Sequence, residues 1–220
     1  MSVVSLSGYR SLDKWIDSFL SAEENKVSPV VWINYSRSLE LWRLFLGCYY
    51  GPLDLRQLKW EHFEGFVAYW YFRYAAERSL EEAEVLLLTL ENFHCWLMLE
   101  GIIQKMIWQE SEGQQLKRDL SHALTFQNMR KPLEKKSRLA CSAGWYAVEG
   151  IDDLYAEISS IPEGTVFRPL LSSGMKKFLQ VGDIYMGSVW QGRDKKTFVD
   201  EYSIRTLYPK AAKRYFTLYG

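Results

Sequence analysis

The chain reads as an α+β protein: an N-terminal helical bundle of four or more helices, then a small antiparallel β-barrel or curled sheet with a terminal helix. Three observations predict this class. Over residues 11–101 apolar side chains recur at helical spacing between recognisable caps. From residue 165 onward short β-branched and aromatic runs alternate with turn residues. The length of 220 residues, with 48% hydrophobic and 15% aromatic content, supplies apolar surface for two modest cores. The expected organisation is a helical domain over 1–130, a basic connector with a short helix over 131–162, and a β domain over 163–220.

The first helix is expected to start at Ser11 as N-cap and to carry Leu12, Trp15, Ile16, Phe19 and Leu20 on one face, ending near Ala22. Ser28 followed by Pro29 caps the second, whose face holds Val31, Trp32, Tyr35, Leu39, Trp42 and Leu46 before Gly51-Pro52 stops it. A third helix fits 60–74, with Phe63, Phe66, Val67, Trp70 and Tyr74 on one side and enough neighbouring aromatics to be buried nearly all round. Those aromatics suit a core better than a ligand-binding wall, and any excess would mark a protein interface. Ser79 and Glu82 form a capping-box pattern opening a fourth helix through Ala83, Leu86, Leu87, Leu90, Phe93 and Leu97, which ends before Gly101.

Further helix is expected over 104–138, interrupted at Glu112-Gly113-Gln114-Gln115. Ile151, Leu154, Tyr155 and Ile158 suggest one more short helix, ended by Pro162. Strands are expected over 165–171, 177–181, 183–190 and 197–204, with hairpin loops at 172–174 and 191–194. Gly182 and Gly187 in the 181–189 segment would let a strand bend sharply, as at the entry to an OB-like or SH3-like barrel. Phe178, Tyr185, Trp190, Phe198 and Tyr202 would then form either an aromatic binding face or, more simply, the barrel core. Pro209 begins a closing helix.

Residues 11–101 resemble the helical, SAM-like core-binding domain on the N-terminal side of tyrosine recombinases and phage integrases. The likeness rests on the Tyr-centred second helix over 35–45, the Leu55 to Leu58 turn, and a Ser-capped fourth helix closing with Phe93-His-Cys-Trp96 and Glu100-Gly101. It implies ancestry in DNA recombination and mobile DNA. The same family's catalytic half carries an Arg…HxxR…Tyr series. After residue 101 this chain has one histidine, His122, and Thr125 stands where an HxxR frame needs Arg, so no recombinase pocket assembles.

Charge is distributed unevenly beneath a net of zero. Residues 1–103 hold nine Lys and Arg against fourteen Asp and Glu; 104–138 hold eight against four, and 139–220 ten against nine. The candidate phosphate-binding residues are Arg37, Arg43, Arg130, Lys131, Lys135, Lys136, Arg138, Lys176 and Lys177. Glu91-x-x-His94 and Asp119-x-x-His122 have the spacing of di-iron carboxylate ligands but lack further ligands fixed by pattern, and His62 suits a helix cap or a surface group. Cys48, Cys95 and Cys141 form no CxxC pair and are expected as buried thiols. No glycine-rich phosphate loop, HExxH motif or nucleophile elbow occurs. No apolar run reaches the ~18 residues of a membrane span, and the first ten residues lack a secretory layout, so a cytoplasmic protein without a membrane partner is expected.

The functional expectation is a non-catalytic binding protein without cofactor or metal, contacting DNA through those basic residues. The competing reading is a protein interaction or scaffold module, or a self-associating one, that has lost DNA binding. A di-metal carboxylate enzyme is the third.

Overall fold

The computed structural model describes residues 7–51, 53, 55–74, 79–129, 139–161, 163–192, 194–200 and 202–219. The fold is mixed α and β, helical in its N-terminal half, and forms two compact units, 1–117 and 118–220.

In the first unit α1 spans Ser7–Glu23, so Ser11 lies inside the helix rather than capping it. Helix α2 (Pro29–Tyr49) begins as expected: the Ser28 hydroxyl accepts the Val31 N–H at 3.4 Å, and Pro29 occupies the first helical position. A 3-10 turn at Leu55–Gln57 leads into α3 (Trp60–Gly65), which continues through a π-helical turn, Phe66–Tyr71, into α4 (Phe72–Tyr74). The near-total burial expected for this stretch holds from Phe66 to Tyr69 and at Tyr71 and Phe72. Helix α5 (Leu80–Leu99) is capped by Ser79, whose hydroxyl accepts the Glu82 N–H at 3.0 Å, worth about 1 kcal/mol.

Helices α1, α2 and α5 pack on one another around aromatic rings. Phe19 meets Phe93 edge-on at 5.3 Å, and Trp42 stacks on Phe63 at 5.1 Å while meeting Phe93 at 5.8 Å. Such pairs add about 0.5–1.5 kcal/mol each beyond area burial.

Helix α6 (Glu110–Met129) runs unbroken through 112–115, where an interruption was expected. Gly113 is accommodated because it faces Trp108: a Cβ there would stand 2.7 Å from the indole nitrogen. The first turns of α6, 110–117, belong to the first unit and the remainder to the second.

The second unit is built on a sheet of β1 (Leu139–Ile151), β2 (Ala156–Ile161), β3 (Val166–Phe167), β4 (Leu170–Leu171), β5 (Ile184–Gln191), β6 (Thr197–Val199) and β7 (Ile204–Tyr208). Its order is β3-β2-β1-β5-β6-β4, with β7 also paired to β5. All ladders are antiparallel except β4 with β6. The sheet is not closed into a barrel: β3 and β4 stand at opposite ends of the strand order and do not pair, and β4 meets the residue before β2 through an isolated bridge, Tyr155 with Leu170, rather than a ladder.

The strands begin at Leu139, upstream of residue 163, and the helix expected around 151–158 is replaced by a β1–β2 turn and β2. Ile151, Tyr155 and Ile158 match a helical period. Ala156 and Ile158 are nonetheless buried and Glu157 exposed, a strand alternation, while Asp152 Oδ1 accepts the Leu154 and Tyr155 N–H groups and turns the chain. No strand forms at 177–181, whose first two residues end α7 (Met175–Phe178) and whose last three are irregular, and 172–174 precedes that helix with the Ser172 hydroxyl accepting the Met175 N–H at 3.2 Å, so no hairpin forms there. The chain between Gln191 and Thr197, overlapping the expected 191–194 loop, does join an antiparallel pair, β5 and β6.

Tyr146 of β1 sits opposite Tyr185 of β5, both wholly buried, with ring centroids 5.2 Å apart. Helix α8 (Ala212–Tyr219) closes the unit, Phe216 meeting Trp145 at 5.7 Å and Tyr208 at 5.1 Å. Helix α6 adds Leu120, Ala123 and Leu124 to the core and sets Phe126 edge-on to Phe178 at 6.2 Å.

Candidate functional site

The candidate basic residues of the first unit are engaged with carboxylates. Arg43 lies 2.9 Å from Asp13, 3.7 Å from Asp17 and 3.6 Å from Glu40, and the exposed Arg37 stands 3.7 Å from Glu82. Six residues apart on α2, they project from different faces, Arg43 toward α1 and Arg37 toward α5. Lys176 and Lys177 are exposed on α7. Arg130, Lys131, Lys135, Lys136 and Arg138 lie outside the described residues.

The candidate aromatic face does not form as one surface. Tyr185 is wholly buried, and burial pushes its phenol pKa well above the ordinary value. Trp190 lies five residues on, and thus on the opposite face of β5, across from Phe198 of β6. Phe178 packs on Phe126, and Tyr202 stands in the β6–β7 turn. Core packing claims Tyr185 outright, and the other four are half-buried.

All three histidines are engaged in structural contacts. His62 Nδ1 accepts the Lys59 N–H at 2.9 Å, the capping alternative rather than the surface one, and burial lowers its pKa. His94 is buried, its Nε2 accepts the Ile107 N–H at 3.1 Å, and burial lowers its pKa too. Glu91 is exposed, so the Glu91–His94 spacing does not become a ligand pair. His122 turns to Asp183, 3.0 Å away. Among the described residues no group of three or more His, Cys, Asp or Glu could hold a metal ion.

Cys48 and Cys95 are exposed, contrary to the expected burial. Position 95 belongs to the outward stripe of α5 formed by Glu84, Leu88, Glu91, Cys95 and Leu99, and Cys48 follows the exposed Leu44 by one turn of α2. The Cys95 thiol pKa is raised by partial burial and by Glu91.

The same stripe borders a feature that the sequence reading missed. A groove of about 470 Å³ lies between α5 and the first turns of α6. Val85, Leu87, Leu88 and Trp108 make its apolar lining, and Glu81, Glu84, Glu91 and Glu110 supply carboxylates around it. Leu88 is 52% exposed, whereas Trp108 is buried edge-on against Trp60 at 5.1 Å and Phe63 at 5.6 Å. Lys117 spans to Glu84 at 3.6 Å. The sequence signal was an apolar residue out of place: Glu81, Glu84, Leu88 and Glu91 share one outward face of α5, on which Leu88 stays half-exposed.

A groove of this size with an exposed leucine and a fixed indole can take an apolar side chain from another molecule, and its carboxylates can meet that molecule's donors or cations. No helix of the described residues is long and apolar enough to cross a membrane. Compared with protein-family models, curated proteins and solved structures, the chain matches none of them.

Proposed function

We propose that the chain is a non-catalytic binding protein whose helical unit docks a segment of a partner protein in the groove between α5 and α6. The observation that carries this reading is Leu88, half-exposed beside Trp108 in a concave surface of about 470 Å³. An isolated exposed leucine needs no explanation; one set in a groove with a tryptophan has the anatomy of an anchor site.

The likeness of residues 11–101 to a recombinase core-binding domain points toward DNA instead. Two features favour the protein-binding reading over it. Residues 1–103 carry nine basic against fourteen acidic side chains, and Arg37 and Arg43 already face carboxylates. A phosphate would have to compete with those partners. The exposed Lys176 and Lys177 keep DNA as a second reading for the β unit.

Selection of a displayed random-peptide library on the wild-type protein, counter-screened against Leu88→Asp, tests the proposal. Enriched peptides whose binding Leu88→Asp abolishes are the expected result. Peptides that bind both forms alike, or no enrichment together with salt-sensitive binding of labelled duplex DNA, would overturn it in favour of the second reading.

A further inference from the structure

The groove carries information about the chemistry of its occupant as well as its place. Its lining side chains include four carboxylates, Glu81, Glu84, Glu91 and Glu110, against one ammonium, Lys117. Glu81, Glu84 and Glu91 stand on α5 at intervals of three and seven residues, and Glu110 opens α6 on the other side. From Glu81 to Glu91 the helix rises about 15 Å, the length of nearly three helical turns. Carboxylates therefore border an apolar strip along its length, and Leu88 sits between Glu84 and Glu91.

A partner bearing cations meets these carboxylates with opposite charge while its apolar groups cover the exposed part of Leu88. An acidic partner would meet like charge. Lys117, 3.6 Å from Glu84, already holds one position that such a cation would take. Resting on the docking reading above, we infer that the groove selects an amphipathic segment with apolar anchors flanked by Lys or Arg, from a partner protein. Charge complementarity sets the sign of the occupant, and the length of the acidic border matches a helix of two to three turns.

Three fluorescein-labelled amphipathic peptides that share one leucine face, and carry Lys, Gln or Glu on the other, measure this by anisotropy against the full chain near physiological salt. The Lys peptide is expected to bind at least about tenfold tighter than the Gln peptide, and the Glu peptide weakest. Glu84→Gln with Glu91→Gln is expected to weaken the Lys peptide about three- to tenfold, while Glu24→Gln with Glu100→Gln, an equal charge change away from the groove, leaves it unchanged. Lys117→Gln should strengthen Lys-peptide binding. All substituted side chains are exposed, so circular dichroism should show an intact fold in each variant.

Equal binding of all three peptides, lost in Leu88→Asp, overturns the cationic occupant and leaves the docking groove standing. Lys-peptide binding indifferent to both Leu88→Asp and the groove glutamates is general attraction to an acidic surface and overturns the inference. Failure of every peptide to bind overturns the groove reading and the inference with it.

Discussion

His122 Nε2 of α6 lies 3.0 Å from Asp183 Oδ2, joining a partly exposed imidazole to a carboxylate that is enclosed by the second unit. The same Oδ2 accepts the Gln180 N–H at 2.8 Å, while Oδ1 is buried without a hydrogen-bond partner. A buried carboxylate supported by so few donors depends on each of them. The contact ties α6 to the turn before β5, and the Val148 N–H donates to the Asp183 carbonyl at 2.9 Å.

Removing either side of this contact is expected to destabilise the second unit. His122→Ala leaves Asp183 buried with one donor fewer and should cost about 2–4 kcal/mol; Asp183→Asn should cost less than Asp183→Ala, because its amide oxygen can still accept from Gln180. Urea denaturation of the three variants checks this. A cost below about 0.5 kcal/mol for His122→Ala would mean that the pair is a surface contact in energetic terms.

Gly187 is the next position at which one atom decides. It stands where β5 passes from pairing with β7 to pairing with β6, and the ladder slips between Met186 and Gly187. A Cβ there would stand 2.1 Å from the Ser203 carbonyl oxygen, a backbone atom in a turn fixed by the Ser203 hydroxyl accepting the Asp200 N–H. Gly187→Ala is therefore expected to lower stability by more than about 2 kcal/mol, as overpacking against backbone does. Gly144, whose Cβ would meet nothing within 4 Å, is the matched control on β1. Similar thermal midpoints for the two alanine variants would contradict the argument.

The first unit should lose stability in mild acid. Burial lowers the pKa of both His62 and His94, and each accepts a backbone N–H through a ring nitrogen, His62 from Lys59 and His94 from Ile107. Protonation converts those acceptors to donors. Because the folded-state values lie below the ordinary histidine value of about 6.5, the unfolded chain binds protons first. The contribution is fully present above pH ~6.5 and is lost as pH falls through the lower folded-state values. Urea midpoints should fall between pH 7.5 and 5.5, and His94→Gln, whose amide oxygen can accept the Ile107 N–H, should show a shallower fall. An equally steep fall in a variant carrying both His94→Gln and His62→Gln would assign the effect to carboxylates.

Local chemistry was legible wherever a feature depends on neighbours in sequence. The caps at Ser28 and Ser79 and the apolar faces of α2 and α5 follow from spacing, because one helix turn brings the interacting groups together. Features resting on distant partners were not. The 151–158 segment fits two periods, and its choice between them was made by pairing with the rest of β1 and with β3. The docking groove joins residues 81–91 to 108–117, and only Leu88, an apolar residue among glutamates, hinted at it.

By itself the sequence determined the α+β class, a helical N-terminal half, the capped helices and the absence of a recombinase catalytic series. Tertiary structure decided that β1 lies between β2 and β5, that the sheet stays open, and that His122 meets Asp183. It also decided that Arg37 and Arg43 face carboxylates, and that the side chain at 113 is absent where Trp108 closes the groove. The physical reason is common to all of these. Helical periodicity and capping act within a turn or two of chain, whereas strand pairing, burial of charge and concave surfaces are set by residues tens of positions apart, whose competition no local pattern records.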